Sequence, residues 1–171
     1  MRYPNQSEQV VVNQSQVTKA KVIERSEIET LIPHRPPFLW IDRVEELEPG
    51  VRCVAVKFID PANPIFAGHF PARPILPGVL LIEAVAQTAG VMMGSAAPQI
   101  TDRGPADKSR EGVALLAAVN RFKFLKPVTP GQELRIETKK LTEVGQLVCI
   151  GGTVWAGREM VANGELSVVM A

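Results

Sequence analysis

The segment that most restricts the fold is an apolar run, Val79 to Met93, entered through Pro77-Gly78 and interrupted by Glu83, Gln87 and Thr88. Upstream of it, Pro61, Pro64, Pro71, Pro74 and Pro77 exclude regular structure. Each proline lacks an amide hydrogen and pushes the residue before it out of the α region. Proline does suit the first turn of a helix, so a helix is expected from near Pro77-Gly78 to about Ala96. That helix is apolar on nearly every face, and no side of it wants water, so it must be enclosed. The run falls short of the roughly 20 residues that span a bilayer, so it reads as a buried helix of a soluble fold.

The rest of the chain supplies strands to enclose it. Residues 1–20 are polar and rich in Gln and Asn, and read as a flexible tail ahead of a single domain over 21–171. "SEIETLI" has Ser26 as N-cap and Glu29 three residues on, a capping-box pattern for a short helix. "PHRPPF" is expected to be extended, "LWIDRVEELEPG" to be a strand ending in a turn, and "VRCVAVKFI" to be a strand with one buried face. Residues 95–112, with two prolines, two glycines and mixed charge, make a loop. Beyond it lie "VALLAAVNRFKFL", "QELRIETKKLTE", "GQLVCIGGTVWA" and "REMVANGELSVVM", separated by turn signals at Pro130-Gly131, Gly145 and Gly157 as in an antiparallel meander. The fold class is therefore α+β, a sheet of five or six strands curled around one central helix.

Composition narrows the partners. A net charge of +1 gives no electrostatic argument for nucleic acid or an acidic membrane. Cys53 and Cys149 stand far apart with no CxxC pattern, which suits a reduced cytoplasmic protein and argues against a disulfide framework or a zinc site. The N-terminus lacks the basic start and apolar core of a secretory signal.

The chemistry concentrates around the helix. Glu83 and Gln87 are one turn apart and share a face. Burial makes a carboxyl useful as a general acid or base near neutral pH. Gly78 opens the helix, so its amide can polarise a carbonyl at the positive end of the helix dipole. His69 lies on irregular backbone just ahead. Acid, base and oxyanion-type donor around an apolar channel fit proton abstraction beside a carbonyl with loss of a β-hydroxyl. A lone glutamate on a buried helix, or a histidine beside Gly and Phe, serves equally as a satisfied core or interface group, and composition leaves both readings standing.

Three stretches carry a resemblance. "LIPHRPPFLWIDRV", "FAGHFPARPILPGVLLIEAVAQTAG" and "NRFKFLKPVTPGQEL" resemble the 3-hydroxyacyl-[acyl-carrier-protein] dehydratases of bacterial fatty acid synthesis, the FabZ type, over about residues 27–170. The resemblance implies a hot-dog fold and dehydration of (3R)-3-hydroxyacyl-[acyl-carrier-protein] to the trans-2-enoyl product. It implies no cofactor and no metal. It further implies a homodimer, often three dimers in a hexamer, and an acyl carrier protein partner bearing a phosphopantetheine-linked acyl chain. His69 matches the catalytic histidine that removes the α-proton. Glu83 matches the catalytic carboxylate, supplied by the opposite subunit and acting through water held with Gln87. Gly78 matches the thioester-carbonyl donor, and the Ile75 carbonyl would orient the imidazole. The related FabA type, which also isomerises the double bond, carries Asp at the helix position, so Glu83 favours simple dehydration.

Two departures stand out: Ala72 takes the place where the family usually has Gly, a small change that leaves activity expected, and Tyr3 is the chain's one tyrosine, so no tyrosine gates the acyl tunnel from the loop after the helix, which bears on chain-length preference. His34 matches a family landmark and is read as structural. Arg121, Lys123 and Lys126 alternate with Phe122 and Phe124, a solvated face or, with Arg73, a landing site for the acidic carrier protein. The rival functions are a hot-dog acyl thioesterase and a non-catalytic acyl-binding regulator. The first would not place Gly-His-Phe-Pro before the helix. The second would want a basic helical segment, and residues 1–20 contain only Arg2 and Lys19 as cations.

Overall fold

Proline, glycine and apolar spacing place most elements where the sequence signals them. A computed structural model describes residues 22–96 and 114–170. The tail at 1–20 and residues 97–112 of the expected loop lie outside the described residues. In chain order the elements are β1 (Ile23–Glu24), α1 (Arg25–Leu31), β2 (Arg43–Glu48), β3 (Arg52–Phe58), a 3-10 turn (Pro64–Ala67), α2 (Gly78–Ala96), β4 (Ala114–Phe124), β5 (Glu133–Val144), β6 (Leu147–Ala156) and β7 (Glu159–Met170). One antiparallel sheet contains all seven strands in the order β1-β2-β3-β5-β6-β7-β4.

That order corrects the expected four-strand meander. β5, β6 and β7 do form one, through two-residue turns whose first residues, Gly145 and Gly157, take φ of +59° and +60°. Such hairpin turns need positive φ there, which glycine reaches without steric cost. β4, however, pairs with β7 at the far edge. β3 already occupies the near edge of β5, and a proline-broken connection with Val128 buried in the core leads from β4 back across to β5. The sheet also exceeds the five or six strands expected, because the short β1 adds to β2.

α2 lies in the concave face of this sheet and ties two parts of the core together. Leu81, Ala84 and Val85 pack with Trp40, Phe66, Ile136 and Val154. One turn further, Ala89, Val91 and Met92 pack with Ile28, Ile41, Val148 and Ile150. The approach is close: a methyl on Gly152 would fall 2.3 Å from Val85 Cγ1. α2 has 19 residues and a mean hydropathy of 1.5, long and apolar enough to cross a membrane by those measures. Its buried face marks it instead as the core helix of the fold.

Enclosure is nonetheless incomplete. Val79 is 67% exposed, and Ile82, Glu83, Ala86, Gly90 and Met93 are half-buried along one side. A single sheet wraps one side of a helix, so the opposite stripe stays partly open in one chain.

Three local expectations change. Ser26 lies inside α1 and Glu24 is the N-cap residue, without a side-chain cap. Pairing of Ile23–Glu24 with β2 brings the chain in early, so the helix starts at Arg25. "PHRPPF" is extended only to Arg35, whose carbonyl then accepts from the amides of Phe38 at 2.8 Å and Leu39 at 3.0 Å to close a turn. β3 buries both faces from Cys53 to Val56. Val54 stands in register between Glu46 and Glu137, and Val56 between Arg43 and Arg135. Arg52 and Arg135 bridge Glu46 and Glu137, so the stems of these long side chains roof the outer face.

Candidate active site

The proline-rich segment ahead of α2 folds into a tight loop that presents His69. The His69 amide donates to Ile65 O at 3.0 Å, Arg73 to Phe70 O at 2.9 Å, and Ile75 to His69 O at 3.1 Å. Leu76 N donates to Val128 O at 2.8 Å, fixing the loop to the β4–β5 connection. Within this frame His69 Nδ1 lies 2.8 Å from Ile75 O. A carbonyl can only accept, so Nδ1 carries the hydrogen and Nε2 keeps its lone pair. The imidazole faces a cavity of about 420 Å³, lined among others by Ile75, Gly78, Phe124 and Lys126. Gly78 is the first residue of α2, so its amide has no partner within the helix. A methyl at Gly78 would meet the Phe124 ring at 2.9 Å, so glycine keeps this end of the cavity open.

Glu83 faces elsewhere. Five residues past Gly78 amounts to about 140° around the helix axis and about 7.5 Å along it. Glu83 lines a second cavity, of about 220 Å³, together with His34, Ala86, Gly90, Leu115 and Leu116. Its side chain is 21% exposed, at the mouth of this cavity rather than enclosed in a core. Gln87 holds it. The Gln87 Nε2 group donates to Glu83 Oε1 and to Phe38 O, both at 2.7 Å, and Oε1 accepts from Trp40 N at 2.7 Å. The Trp40 amide can only donate, which decides which end of the Gln87 amide is oxygen. Both hydrogens of Gln87 are thus committed to protein acceptors, and the residue is 1% exposed. Gln87 therefore positions Glu83 directly.

Residues 32–165 match the FabA-like domain. The 3-hydroxyacyl-[acyl-carrier-protein] dehydratase FabZ of Geotalea uraniireducens strain Rf4 is 38% identical over 146 residues, covering 85% of this chain and 95% of that protein. The protein of the same name from Roseiflexus sp. strain RS-1 is 43% identical over 143 residues, covering 76% and 93%.

The chain belongs to the FabA-like family.

Its fold is the hot-dog fold, and the dehydratase heterocomplex ApeI:P from Xenorhabdus doucetiae shares it, with a TM-score of 0.66 at 17% identity over 84% of this chain and 90% of that one. Within this FabA-like chain the expected site residues fall into three places. His69, Ile75, Gly78 and Lys126 share one cavity, and Arg73 is exposed on the loop beside it. Lys126 also pairs with Glu159 at 2.5 Å. Glu83 and Gln87 belong to the second place, on the other side of α2. Arg121 and Lys123 line a separate groove with Glu137, Lys139 and Glu165. A bulge between Asn120 and Lys123, with Arg121 at φ +51°, breaks the simple alternation of that strand.

His34 has no functional signal in the sequence, yet its Nε2 lies 3.5 Å from Glu83 Oε1. The prolines around it signal irregular backbone. They carry no signal that this backbone returns to the second turn of α2.

Proposed function

We propose that this protein is a 3-hydroxyacyl-[acyl-carrier-protein] dehydratase of fatty acid synthesis, acting in the cytoplasm, with each working site shared between two copies of the chain. The observation that carries the reading is the His69–Ile75 hydrogen bond, which leaves Nε2 as a base beside the amide at the start of α2. The thioester carbonyl accepts from the Gly78 amide, and the dipole of α2 favours the negative charge that develops there. His69 Nε2 takes the proton from the α-carbon, and the electron pair forms the Cα=Cβ bond as the Cβ–O bond breaks. Glu83 protonates the departing hydroxyl, which leaves as water. Because Gln87 donates to Oε1, Oε2 is the oxygen that carries the transferred proton. The proton on His69 then returns to Glu83 through solvent, so the enzyme ends as it began.

Support for a shared site is geometric. His69 and Glu83 line different cavities of one chain, so a second copy must bring its Glu83 to the first copy's His69. β4 is the last strand of the sheet, and Leu115, Leu116 and Val119 on it are exposed. An edge strand of this length and apolarity is a surface for pairing with another chain, and Leu115 and Leu116 border the Glu83 cavity. A homodimer built on this edge closes the open stripe of α2, and three such dimers make the hexamer. The carrier protein docks its acidic surface at the mouth of the His69 cavity, on Lys126 and Arg73. Arg121 and Lys123, in their own groove, are the outer part of that contact.

The deciding experiment is hydration of enoyl thioesters on carrier protein and on CoA, followed by loss of enoyl absorbance alongside free-thiol release. Hydration without thiol release is expected. Thiol release without hydration would replace the dehydratase reading with a thioesterase one.

A further inference from the structure

We propose that His34 is a positioning residue for Glu83, fixing one carboxylate oxygen so that the other meets the departing hydroxyl. The inference rests on Glu83 being the acid of the dehydratase. His34 Nε2 lies 3.5 Å from Glu83 Oε1, and both side chains line the same cavity. The same oxygen accepts from Gln87 Nε2 at 2.7 Å. Two nitrogens from two separate segments therefore converge on Oε1. Among the described residues no hydrogen bond or ion pair engages Oε2.

The other ring nitrogen gives an independent reason. His34 Nδ1 is buried and has no hydrogen-bond partner among the described residues. A histidine kept only for packing is expected to satisfy its buried polar atoms, since an unmade hydrogen bond in the interior is costly. Here the ring is placed for what Nε2 does. A carboxylate repels a lone pair, so Nε2 carries the hydrogen toward Glu83 and Nδ1 is the bare acceptor.

The backbone that carries His34 is held on both sides. Arg35 Nη1 donates to Ile32 O at 2.9 Å and to His34 O at 2.7 Å. Further along, Gln87 binds Phe38 O and Trp40 N. α2 therefore holds the segment through Gln87, and the segment holds Glu83 through His34. Rotation of the Glu83 carboxyl about its last bond would exchange the two oxygens and turn the proton away from the substrate. The Gln87 hydrogen bond at 2.7 Å and the His34 ring nitrogen at 3.5 Å both hold Oε1 and oppose that rotation, and misplacing a reacting group by about 1 Å can cost on the order of 10²-fold in rate.

The test compares His34→Leu, which fills the space without a donor, with His34→Gln, which restores an N–H at similar reach. Expected is a fall in kcat of about 10- to 100-fold for His34→Leu, KM within about twofold, and recovery of most of the loss in His34→Gln. Equal losses in the two variants, or a raised KM with kcat intact, would overturn the proposal. A second readout does not depend on turnover, or on His34→Leu folding. The chain has two histidines, so nitrogen NMR of the imidazoles is assigned by the His34→Gln spectrum. His34 is expected as the Nε2–H tautomer, with its Nε2 signal displaced in Glu83→Gln. A signal indifferent to Glu83→Gln, or a proton on Nδ1, would also overturn it. Absence of hydration by the unsubstituted enzyme would instead remove the dehydratase reading, and the NMR result would still decide the contact.

Discussion

Replacing Gln87 with leucine should both loosen the fold and disable the acid. Gln87 makes three hydrogen bonds, to Trp40 N, Phe38 O and Glu83 Oε1, each at 2.7 Å. Leucine leaves the Trp40 amide buried without a partner, which costs about 1–3 kcal/mol. Phe38 O sits nearer solvent and can take a water, so its loss is that of an ordinary hydrogen bond, about 1 kcal/mol. Leucine recovers about 1 kcal/mol by removing an amide from an apolar surrounding. The net loss is about 2 kcal/mol per chain, or a fall in Tm of about 4–8 °C for a domain of this size. Activity should fall further than stability does, because Glu83 loses the donor that fixes Oε1. Thermal melts at one fixed protein concentration, which holds any oligomer constant, and enoyl hydration well below the transition would measure both. A Tm within about 1 °C of the unsubstituted protein would show that the Gln87 bridge does not tie α2 to residues 38–40.

His69→Ala and Glu83→Gln should each lower turnover by about 10²- to 10⁴-fold with the fold retained. Co-refolding the two inactive proteins should restore activity, since a mixed dimer holds one intact site; mass-verified mixed dimers without activity would place the site within one chain. Burial pushes the Cys53 thiol up to about 12, while Cys149 is half-buried, so iodoacetamide on the native protein should label Cys149 and spare Cys53. Labelling of Cys53 at a comparable rate would contradict its burial. Hydrogen bonds from Arg52, with help from Arg135, hold the Glu46 and Glu137 carboxyls below their ordinary range. Their folded values lie below the unfolded ones, so their stabilisation is fully present above the unfolded value and is lost as pH falls through the folded value. Urea midpoints from pH about 5 down to about 3 should therefore fall less steeply for Arg52→Met than for the unsubstituted protein; an identical slope would remove the network as the cause.

Signals that act over a few residues were legible in the chain. Proline at the entry and a long, largely apolar run locate α2, because helix initiation depends on neighbours within one turn. Gly145 and Gly157 locate the hairpins because only the local backbone has to reach positive φ. The His69–Ile75 hydrogen bond is equally local, since the loop between the two residues closes on itself, but in the sequence only the family resemblance pointed to it. Ser26 shows the limit: its capping pattern is sound locally, but pairing of Ile23–Glu24 with β2 starts the helix elsewhere.

What the tertiary structure decided was which surfaces meet. β4 has the length and alternation of a strand, but its place beside β7 follows from β3 having taken the free edge of β5. His34 and Glu83 lie far apart in sequence and come together because Gln87 draws residues 38–40 onto α2. His69 and Glu83, by contrast, are close in sequence and share a motif, yet the turn of α2 between them sends their side chains into different cavities.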